Sequence, residues 1–302
     1  MSSKKDNQKA LIIGCNGQDG TLLTKFLVSK NYNVYGITKD CLDITSSKQV
    51  SNLLERFKPQ EIYYLAAYHH SSENRENIDI KKNYGINYFG VIIFLEAIRK
   101  FDKKIRFFFA SSSFIFKPSR KIQTEKTKYE PQCHYSVAKV ASMNACKFYR
   151  ERYGLYASCG ILYNHESILR KDHFLSKKII SHAIKHSRDY KLKLIINNMN
   201  DLTDWGFAED YVRAMHLILK NPISKTYIIA SGKVHSVRDF VKTAYNYLNL
   251  DYRDFVEEKC IDKISTFRKG DYSMLKKDCG WEPYYKFTSM IKRLVNDGLE
   301  KL

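Results

Sequence analysis

The stretch KALIIGCNGQDGTLLTKFLVSKNYNVYGITKD, residues 9–40, determines the fold. It contains an apolar run at residues 10–13, a G-x-x-G-x-x-G pattern from Gly14 to Gly20, apolar residues at helical spacing, and a second apolar run at residues 33–37. This order predicts a strand, a glycine turn, a helix and a second strand. Glycines at such a turn let the backbone approach a pyrophosphate, which the N–H groups of the helix N-terminus then bind. Residues 9–40 therefore form a predicted dinucleotide-binding unit.

Strands and helices continue to alternate after this unit. Strands are predicted at residues 61–67, 105–113 and 157–164, and long helices at residues 83–101 and 135–154. Alternation of this kind predicts an α/β fold, a doubly wound parallel Rossmann sheet with its ligand at the carboxyl ends of the strands. A smaller C-terminal substrate-binding lobe is expected beside it. We expect the Rossmann domain to comprise residues 1–163 and about 202–231, and the lobe to comprise about 164–201 and 232–302.

The composition excludes several classes of protein. With 302 residues, 44% of them hydrophobic, the chain can bury a core, so disorder is excluded. No run of about 18 apolar residues is present to span a membrane, and the polar segment MSSKKDNQK has no apolar stretch of signal-peptide length. Seven scattered cysteines without a C-x-x-C pair predict free thiols and a reducing, cytoplasmic location.

The charge is strongly basic, with 51 Lys and Arg against 32 Asp and Glu and a formal net charge of +19. These basic residues are spread along the chain, and the densest run, KHSRDYKLK at residues 185–193, is short. A nucleic-acid binder would concentrate them in one stripe with interleaved aromatic residues. We therefore expect a lysine-rich surface that attracts phosphate groups, and no nucleic-acid partner.

The segment HYSVAK places Tyr135 and Lys139 four residues apart, so both side chains project from one face of the predicted helix. A lysine ammonium close to a phenol favours the phenolate, so we expect Lys139 to lower the pKa of Tyr135 from its usual value of about 10. Ser112, at the end of the preceding strand, can hydrogen-bond the same substrate hydroxyl. The three residues predict proton transfer to or from an alcohol while hydride moves to or from a nicotinamide.

With these motifs the chain resembles the extended short-chain dehydrogenase/reductases of the NAD-dependent epimerase/dehydratase type, and within them the GDP-mannose 4,6-dehydratase family. The matching segments are GCNGQDGTLLTKFL, EIYYLAAYHH, YSVAK, GILYNHES and DWGFAEDYVRAMHLIL, and the resemblance covers about residues 8–290. It implies NAD(P)-dependent chemistry on a GDP-sugar, of use in surface-polysaccharide synthesis. It also implies a homodimer formed through the helices at residues 83–101 and 135–154, and no metal.

The resemblance assigns roles to individual residues. The implied catalytic residues are Ser112, Tyr135 and Lys139. The implied cofactor-binding residues are Gly14, Gly17, Gln18, Asp19, Gly20, Lys39, Asp40, Asp43, Leu65, Ala66, Ala67, Asn87, Tyr135, Lys139, Leu162, Asn164 and His165. The implied substrate-binding residues are His69, His70, Ser113, Phe114, Asn164, Glu166, Lys177, Lys178, Lys193 and Arg268.

The main departure from the family is Phe114. The family's loop reads Ser-Thr-Ser-Glu, whereas this chain reads Ser111-Ser112-Ser113-Phe114. After oxidation at C4, the family's glutamate removes the C5 proton and helps hydroxide leave from C6. Phenylalanine can do neither, so the leading hypothesis is a 4-dehydrogenase or 4-keto-reductase of a GDP-mannose-type hexose or heptose.

Three alternatives stay open. A true 4,6-dehydratase would take its acid or base from another residue, with Glu166, His165, His69, His70 and Cys133 as candidates by residue type. An epimerase would oxidise C4 and then reduce the other face, or exchange a proton beside the ketone. A protein that binds a nucleotide without catalysis is disfavoured by the intact Tyr-Lys pair.

Two further departures concern charge. Where the family has an arginine pair for the 2′-phosphate of NADP and a loop used in tetramer formation, this chain has Lys39 and Asp40. A carboxylate there favours NAD(H) over NADP(H), and the missing loop leaves a dimer. Two family arginines, one before DWG and one in an Arg-Pro segment, are also missing, so Lys263, Arg268 or Lys193 is expected to supply charge to the diphosphate.

Overall fold

The computed structural model of this chain describes residues 7–68, 78–259 and 267–301. Its strands, numbered in chain order, are β1 (Lys9–Ile13), β2 (Asn33–Ile37), β3 (Glu61–Tyr64), β4 (Arg106–Ser112), β5 (Tyr156–Leu162), β6 (Asn164–Glu166), β7 (Leu194–Ile196), β8 (Leu202–Phe207), β9 (Thr226–Ile229), β10 (Val234–Ser236) and β11 (Val256–Glu258). Its α-helices are α1 (Gln18–Ser29), α2 (Ser47–Phe57), α3 (Ile80–Tyr84), α4 (Gly90–Phe101), α5 (His134–Tyr153), α6 (Leu175–His186), α7 (Ala208–Lys220), α8 (Val237–Tyr247), α9 (Tyr252–Phe255), α10 (Ser273–Cys279) and α11 (Phe287–Leu299).

Six strands form one parallel sheet in the order β2-β1-β3-β4-β5-β9. One apolar cluster packs α2, α4 and α5 on one face of this sheet, and another packs α1, α7 and α10 on the other face. The strand order reverses between β1 and β3, and in sheets of this kind ligands bind outside the carboxyl ends at that point. The predicted α/β fold with a doubly wound parallel sheet is confirmed.

Local patterns predicted most of these elements. The predicted helix at residues 135–154 is α5, and Gly154, with a φ of +70°, ends it. The predicted strand at residues 61–67 is shorter than expected, because β3 ends at Tyr64 and the chain then turns into a loop.

The helix predicted at residues 83–101 is not one regular helix. A π-helix, Gly85–Phe89, lies between α3 and α4. Within it, Asn87 exchanges hydrogen bonds with the main chain of Tyr68, at 2.9 Å and 3.3 Å. π-Turns of this kind are frequent at functional sites. The irregular turn therefore depends on a contact with the loop after β3, which local periodicity does not reveal.

Two smaller sheets lie beyond the main one, β10-β8-β6 and β11-β7. Strands β7, β8 and β11 share an apolar cluster with α6, α8 and α11. The buried Asp204 of β8 accepts hydrogen bonds from the main-chain N–H groups of Ser231 at 2.8 Å, Gly232 at 3.1 Å and Gly270 at 3.3 Å. This one carboxylate fixes the segment that contains Gly270 against the end of β9.

Within the described ranges, no helix is long and apolar enough to cross a membrane. The six cysteines in those ranges are free thiols, and Cys260 lies outside them. No group of three or more His, Cys, Asp or Glu side chains that could hold a metal ion occurs in this part of the chain.

Candidate active site

The glycine turn lies at the carboxyl end of β1, beside the loop that follows β3. Gly14 has a φ of +89°, and a Cβ there would lie 2.9 Å from the main chain of Ala66. A Cβ on Gly20 would lie 2.3 Å from the carbonyl oxygen of Gly14. Only glycine fits these two positions, and Gly17 precedes the first turn of α1. A glycine turn at a helix N-terminus leaves room for the pyrophosphate of a dinucleotide beside the main-chain N–H groups.

Gln18 and Asp19 begin α1, and their side chains contact β6 and the residue after it. Both carboxylate oxygens of Asp19 lie 3.0 Å from His165 Nε2. Gln18 Oε1 accepts a hydrogen bond from Ser167 Oγ at 2.8 Å. Burial opposes both charges, yet their mutual attraction lowers the pKa of Asp19 and raises the pKa of His165. The residues after the glycine turn therefore form a buried ion pair with the start of the smaller sheets.

The buried Asn87 connects the loop after β3 to α5. Its side chain holds Tyr68 by the two hydrogen bonds described above. Its main-chain oxygen accepts a hydrogen bond from Ser142 Oγ of α5 at 2.7 Å. Asn87 thereby holds Tyr68, which directly follows the predicted cofactor contacts Leu65, Ala66 and Ala67.

The structure brings Ser112, Tyr135 and Lys139 together. Ser112 ends β4 and hydrogen-bonds the Tyr135 side chain in the first turn of α5. One turn later, the buried Lys139 Nζ lies 5.5 Å from the Tyr135 ring centroid and donates to the main-chain oxygen of Ala110 at 2.8 Å. An alcohol bound here would contact Ser112 and Tyr135 at once, so the arrangement can move a proton to or from its hydroxyl.

The expectation that Lys139 lowers the pKa of Tyr135 is wrong for this structure. Burial raises the pKa of Tyr135 to about 12, against a smaller lowering by the Ser112 hydrogen bond. Burial also lowers the pKa of Lys139 to about 7, because a desolvated ammonium is disfavoured. At neutral pH Tyr135 is therefore a protonated phenol, which can donate a proton and is a weak base.

Phe114 follows directly on this group, in the 3₁₀-helix Ser113–Ile115. Its N–H donates to Ser112 Oγ at 3.3 Å. The guanidinium carbon of Arg268 lies 4.6 Å from the Phe114 ring centroid, and Arg268 Nε donates to the main-chain oxygen of Phe116 at 3.0 Å. An aromatic face and a cation therefore occupy the place where the family's sequence pattern puts its glutamate.

Glu166 is buried and already paired. Its Oε2 accepts a hydrogen bond from Ser176 Oγ at 2.5 Å and lies 3.3 Å from Arg170 Nε. Arg170 is absent from the predicted set of site residues, although its positive charge acts on both Tyr135 and Asp19. No local pattern reveals it, because Glu166 ends β6 and Arg170 lies in the turn that follows.

The remaining predicted substrate contacts are dispersed. Lys177 Nζ donates to the main-chain oxygen of Ile168 at 3.0 Å, and Lys178 follows it on α6. Lys193 is exposed, just before β7. Ser113 is buried beside Phe114. The predictions for His69, His70 and Lys263 fall outside the described residues.

The remaining predicted cofactor contacts lie after β2 and β5. Lys39 and Asp40 are exposed beyond the end of β2. Asp43 accepts a hydrogen bond from the main-chain N–H of Thr45 at 2.9 Å, and its bonds to Thr45 lower its pKa. Leu162, which ends β5 opposite Ser112, and Asn164, which begins β6, lie at the same edge of the main sheet.

Comparisons with known proteins agree with this geometry. Residues 41–294 match the family model of GDP-mannose 4,6 dehydratase. GDP-mannose 4,6 dehydratase 1 of Arabidopsis thaliana is 32% identical, over 98% of this chain and 91% of its own length. Among solved structures, dTDP-glucose 4,6-dehydratase of Bacillus anthracis in complex with NAD has a TM-score of 0.84 at 17% identity and is covered to 97%, as is this chain. RMD of Pseudomonas aeruginosa complexed with NADPH has a TM-score of 0.87 at 16% identity, over 98% of this chain and 100% of its own.

The doubly wound sheet, the glycine turn and the Ser-Tyr-Lys arrangement define a short-chain dehydrogenase/reductase fold of the epimerase/dehydratase type. Within that class, the chain belongs to the GDP-mannose 4,6-dehydratase family. The family resemblance seen in the sequence is thereby confirmed.

Proposed function

We propose that this protein is an NAD(P)-dependent enzyme that transfers hydride at C4 of a GDP-mannose-type hexose or heptose and stops there, as a 4-dehydrogenase or a 4-keto-reductase. The observation that carries the proposal is the Ser112–Tyr135 contact with Phe114, rather than a carboxylate, beside it. Tyr135 exchanges a proton with the C4 hydroxyl while Ser112 holds its oxygen. The nicotinamide, when bound, accepts or supplies the hydride.

Loss of water would need a second acid or base next to C5 and C6. The carboxylates that flank the site are engaged elsewhere, Asp19 by His165 and Glu166 by Arg170. These pairings argue against Glu166 and His165 as substitutes for the missing glutamate. Cys133, exposed at the start of α5, stays a candidate for the alternative of a 4,6-dehydratase, as do His69 and His70.

Transfer of deuterium tests the proposal. GDP-mannose carrying deuterium at C4 is incubated with the protein and NAD or NADP, and the masses of sugar and cofactor are followed. The expected result is a reduced cofactor heavier by one mass unit together with a 4-keto sugar that keeps all its oxygen. The reverse reaction, a 4-keto sugar with NADH, is run in parallel. Failure of deuterium to leave C4, together with failure of the 4-keto sugar to oxidise NADH, would contradict the proposal.

For the cofactor we propose NAD(H) in preference to NADP(H), held by the glycine turn. Support comes from Asp40, an exposed carboxylate after β2 that would repel a 2′-phosphate. Titration with NADH and NADPH, followed by fluorescence, should give tighter binding of NADH. Tighter binding of NADPH would reverse the assignment.

We further propose two lobes, with the boundaries given above, and a homodimer formed through α4 and α5. Phe89, just before α4, and Val137 and Phe148 on α5 are 54%, 40% and 52% exposed, which is a large apolar area for a solvated face. Light scattering should give twice the mass of the chain, and Phe148→Glu should halve it. A monomeric unmodified protein would contradict the dimer.

A further inference from the structure

Arg268 is a cation in the active site that hydride transfer at C4 does not use. Its main chain is fixed on both sides. The carbonyl of Phe267 accepts from the N–H of Ser119 at 2.9 Å, and that of Lys269 accepts from the N–H of Gln123 at 2.8 Å. Its Nε donates a hydrogen bond to the main-chain oxygen of Phe116, and its guanidinium lies over the ring of Phe114. The side chain therefore has one well-defined position.

The neighbours of Arg268 place it beside the reacting hydroxyl. Phe114, under the guanidinium, donates its N–H to Ser112 Oγ. The thiol of Cys133 is close enough to both Arg268 and Tyr135 to act on the pKa of each. Arg268 is thus connected to the Ser112–Tyr135 pair through two separate neighbours, Phe114 in the 3₁₀-helix after β4 and Cys133 at the start of α5.

Arg268 is also a partly buried cation that pairs with no carboxylate in the described ranges. Burial lowers its pKa, and the groups that act on it electrostatically are Tyr163 and Cys133. A charge taken out of water is costly unless an opposite charge compensates it. A guanidinium presents a rigid fork of donors that matches a carboxylate, so an anionic oxygen group of a ligand would supply that compensation.

The geometry of a pyranose decides which oxygen group is within reach. With C4 at Ser112 and Tyr135, C6 is only two bonds away through C5. The diphosphate, by contrast, is attached to C1, across the ring from C4. The guanidinium lies over Phe114, whose N–H donates to Ser112 Oγ, so the group that Arg268 binds lies beside C4 and not across the ring. Of the two carbons next to C4, C3 bears a hydroxyl, whereas C5 bears C6, which can carry a carboxylate.

We propose that Arg268, seated on Phe114, binds an anionic group carried by the sugar at C6, so that the substrate class is a GDP-hexuronate. The inference rests on the proposed hydride transfer, because C4 has to lie at Tyr135. Arg268 is then a specificity-determining residue for the sugar and not a contact of the diphosphate.

Binding measurements on a background that does not turn over test this directly. In Tyr135→Phe protein saturated with NADH, calorimetry would measure the affinities of GDP, GDP-mannose and GDP-mannuronate. GDP-mannuronate should bind about 10- to 100-fold more tightly than GDP-mannose, the range for charge-assisted hydrogen bonds. Adding Arg268→Gln should abolish that difference and leave the affinity for GDP unchanged, and Arg268→Lys should restore part of it.

The matched control is Arg253→Gln, which removes an exposed arginine paired with Asp251 and should change none of the three affinities. Equal affinity of the parent protein for the two sugars would overturn the proposal. So would an equal loss of GDP affinity in Arg268→Gln, because Arg268 would then bind the diphosphate. Failure of hydride transfer with both sugars in the unmodified enzyme would instead contradict the proposed function, since binding is read separately.

Discussion

Two groups of side chains lie on either side of the place proposed for the reacting hydroxyl, and they differ in their chemistry. On one side lie Ser112, Tyr135 and Lys139, the residues that the proposed function assigns to proton exchange during hydride transfer. On the other side, Phe114 and Arg268 provide an aromatic face and a cation. Hydride transfer needs only the first side, whereas loss of water needs an acid or base on the second. On the proposed function, this member of the family keeps the groups for hydride transfer and lacks the carboxylate for elimination.

Tyr135→Phe tests the first side and should have the largest effect. Loss of the phenol removes general acid–base catalysis, so we expect kcat to fall by about 10³-fold. Affinity for NADH should stay within about twofold, because the ring remains. Tyr284→Phe, at a side chain that is 80% exposed, is the matched control. Retained turnover in Tyr135→Phe would mean that Tyr135 does not exchange the proton.

Lys139→Met should separate activity from stability on the same side. We expect kcat to fall by about 10²-fold, while the thermal midpoint rises by about 3 °C at pH 6. Burial lowers the pKa of Lys139 to about 7, so the cost of the charge is full below pH 7. That cost is lost as the pH rises towards the unfolded value of about 10.4. Calorimetry at pH 6 and pH 9 should therefore show a larger gain at pH 6, and a midpoint that falls at both would contradict the assignment.

Phe114→Glu would give the second side the carboxylate that the family's sequence pattern has at this position. The new carboxylate would lie beside Arg268 and Ser112. With C4 at Tyr135, as the proposed function requires, it would be next to C5 and able to take its proton. We expect water loss from GDP-mannose to appear at about one-hundredth of the rate of hydride transfer. Phe114→Gln has the same shape without the charge and should form no dehydrated product. If both variants behave alike, the identity of residue 114 does not separate the two reactions.

Asp19→Asn should give the smallest change, because the main contact of Asp19 is its ion pair with His165, between α1 and β6. Removal of the charge that faces His165 should cost about 2 kcal/mol. The pKa of Asp19 is lowered and that of His165 is raised, so the pair is fully formed between about pH 4 and pH 6.5. It is lost as the pH rises through the folded value of His165. Urea unfolding across pH 6 to 9 should show this loss in the parent protein and a flatter profile in Asp19→Asn. Identical profiles would mean that the pair does not stabilise the fold.

The features that could be predicted from the sequence are those that depend on short-range residue patterns. The glycine turn at Gly14 and the Tyr135–Lys139 spacing follow from periodicity and turn chemistry, which act over a few residues. The contact that fixes Arg268 on the second side is long-range, since Arg268 meets Phe116 across 152 positions. The ion pair between His165 and Asp19 is also long-range, across 146 positions. No local pattern specifies such pairs.

The direction of the pKa shift of Tyr135 could not be predicted from residue spacing either. Its spacing from Lys139 predicted a lowered pKa, but the depth of burial, which is set by the whole fold, raises it. Spacing can place two groups on one helix face. It does not determine how much water surrounds them.

The mass of the product formed from a GDP-sugar and NAD tests the central claim most directly. GDP-mannose and GDP-mannuronate are each incubated with the protein, and both sugar and cofactor are analysed. Hydride transfer without elimination predicts a product lighter by two hydrogens, together with reduced cofactor. A product lighter by one water, with the cofactor unchanged at the end, would mean that elimination proceeds despite Phe114 and would contradict the account.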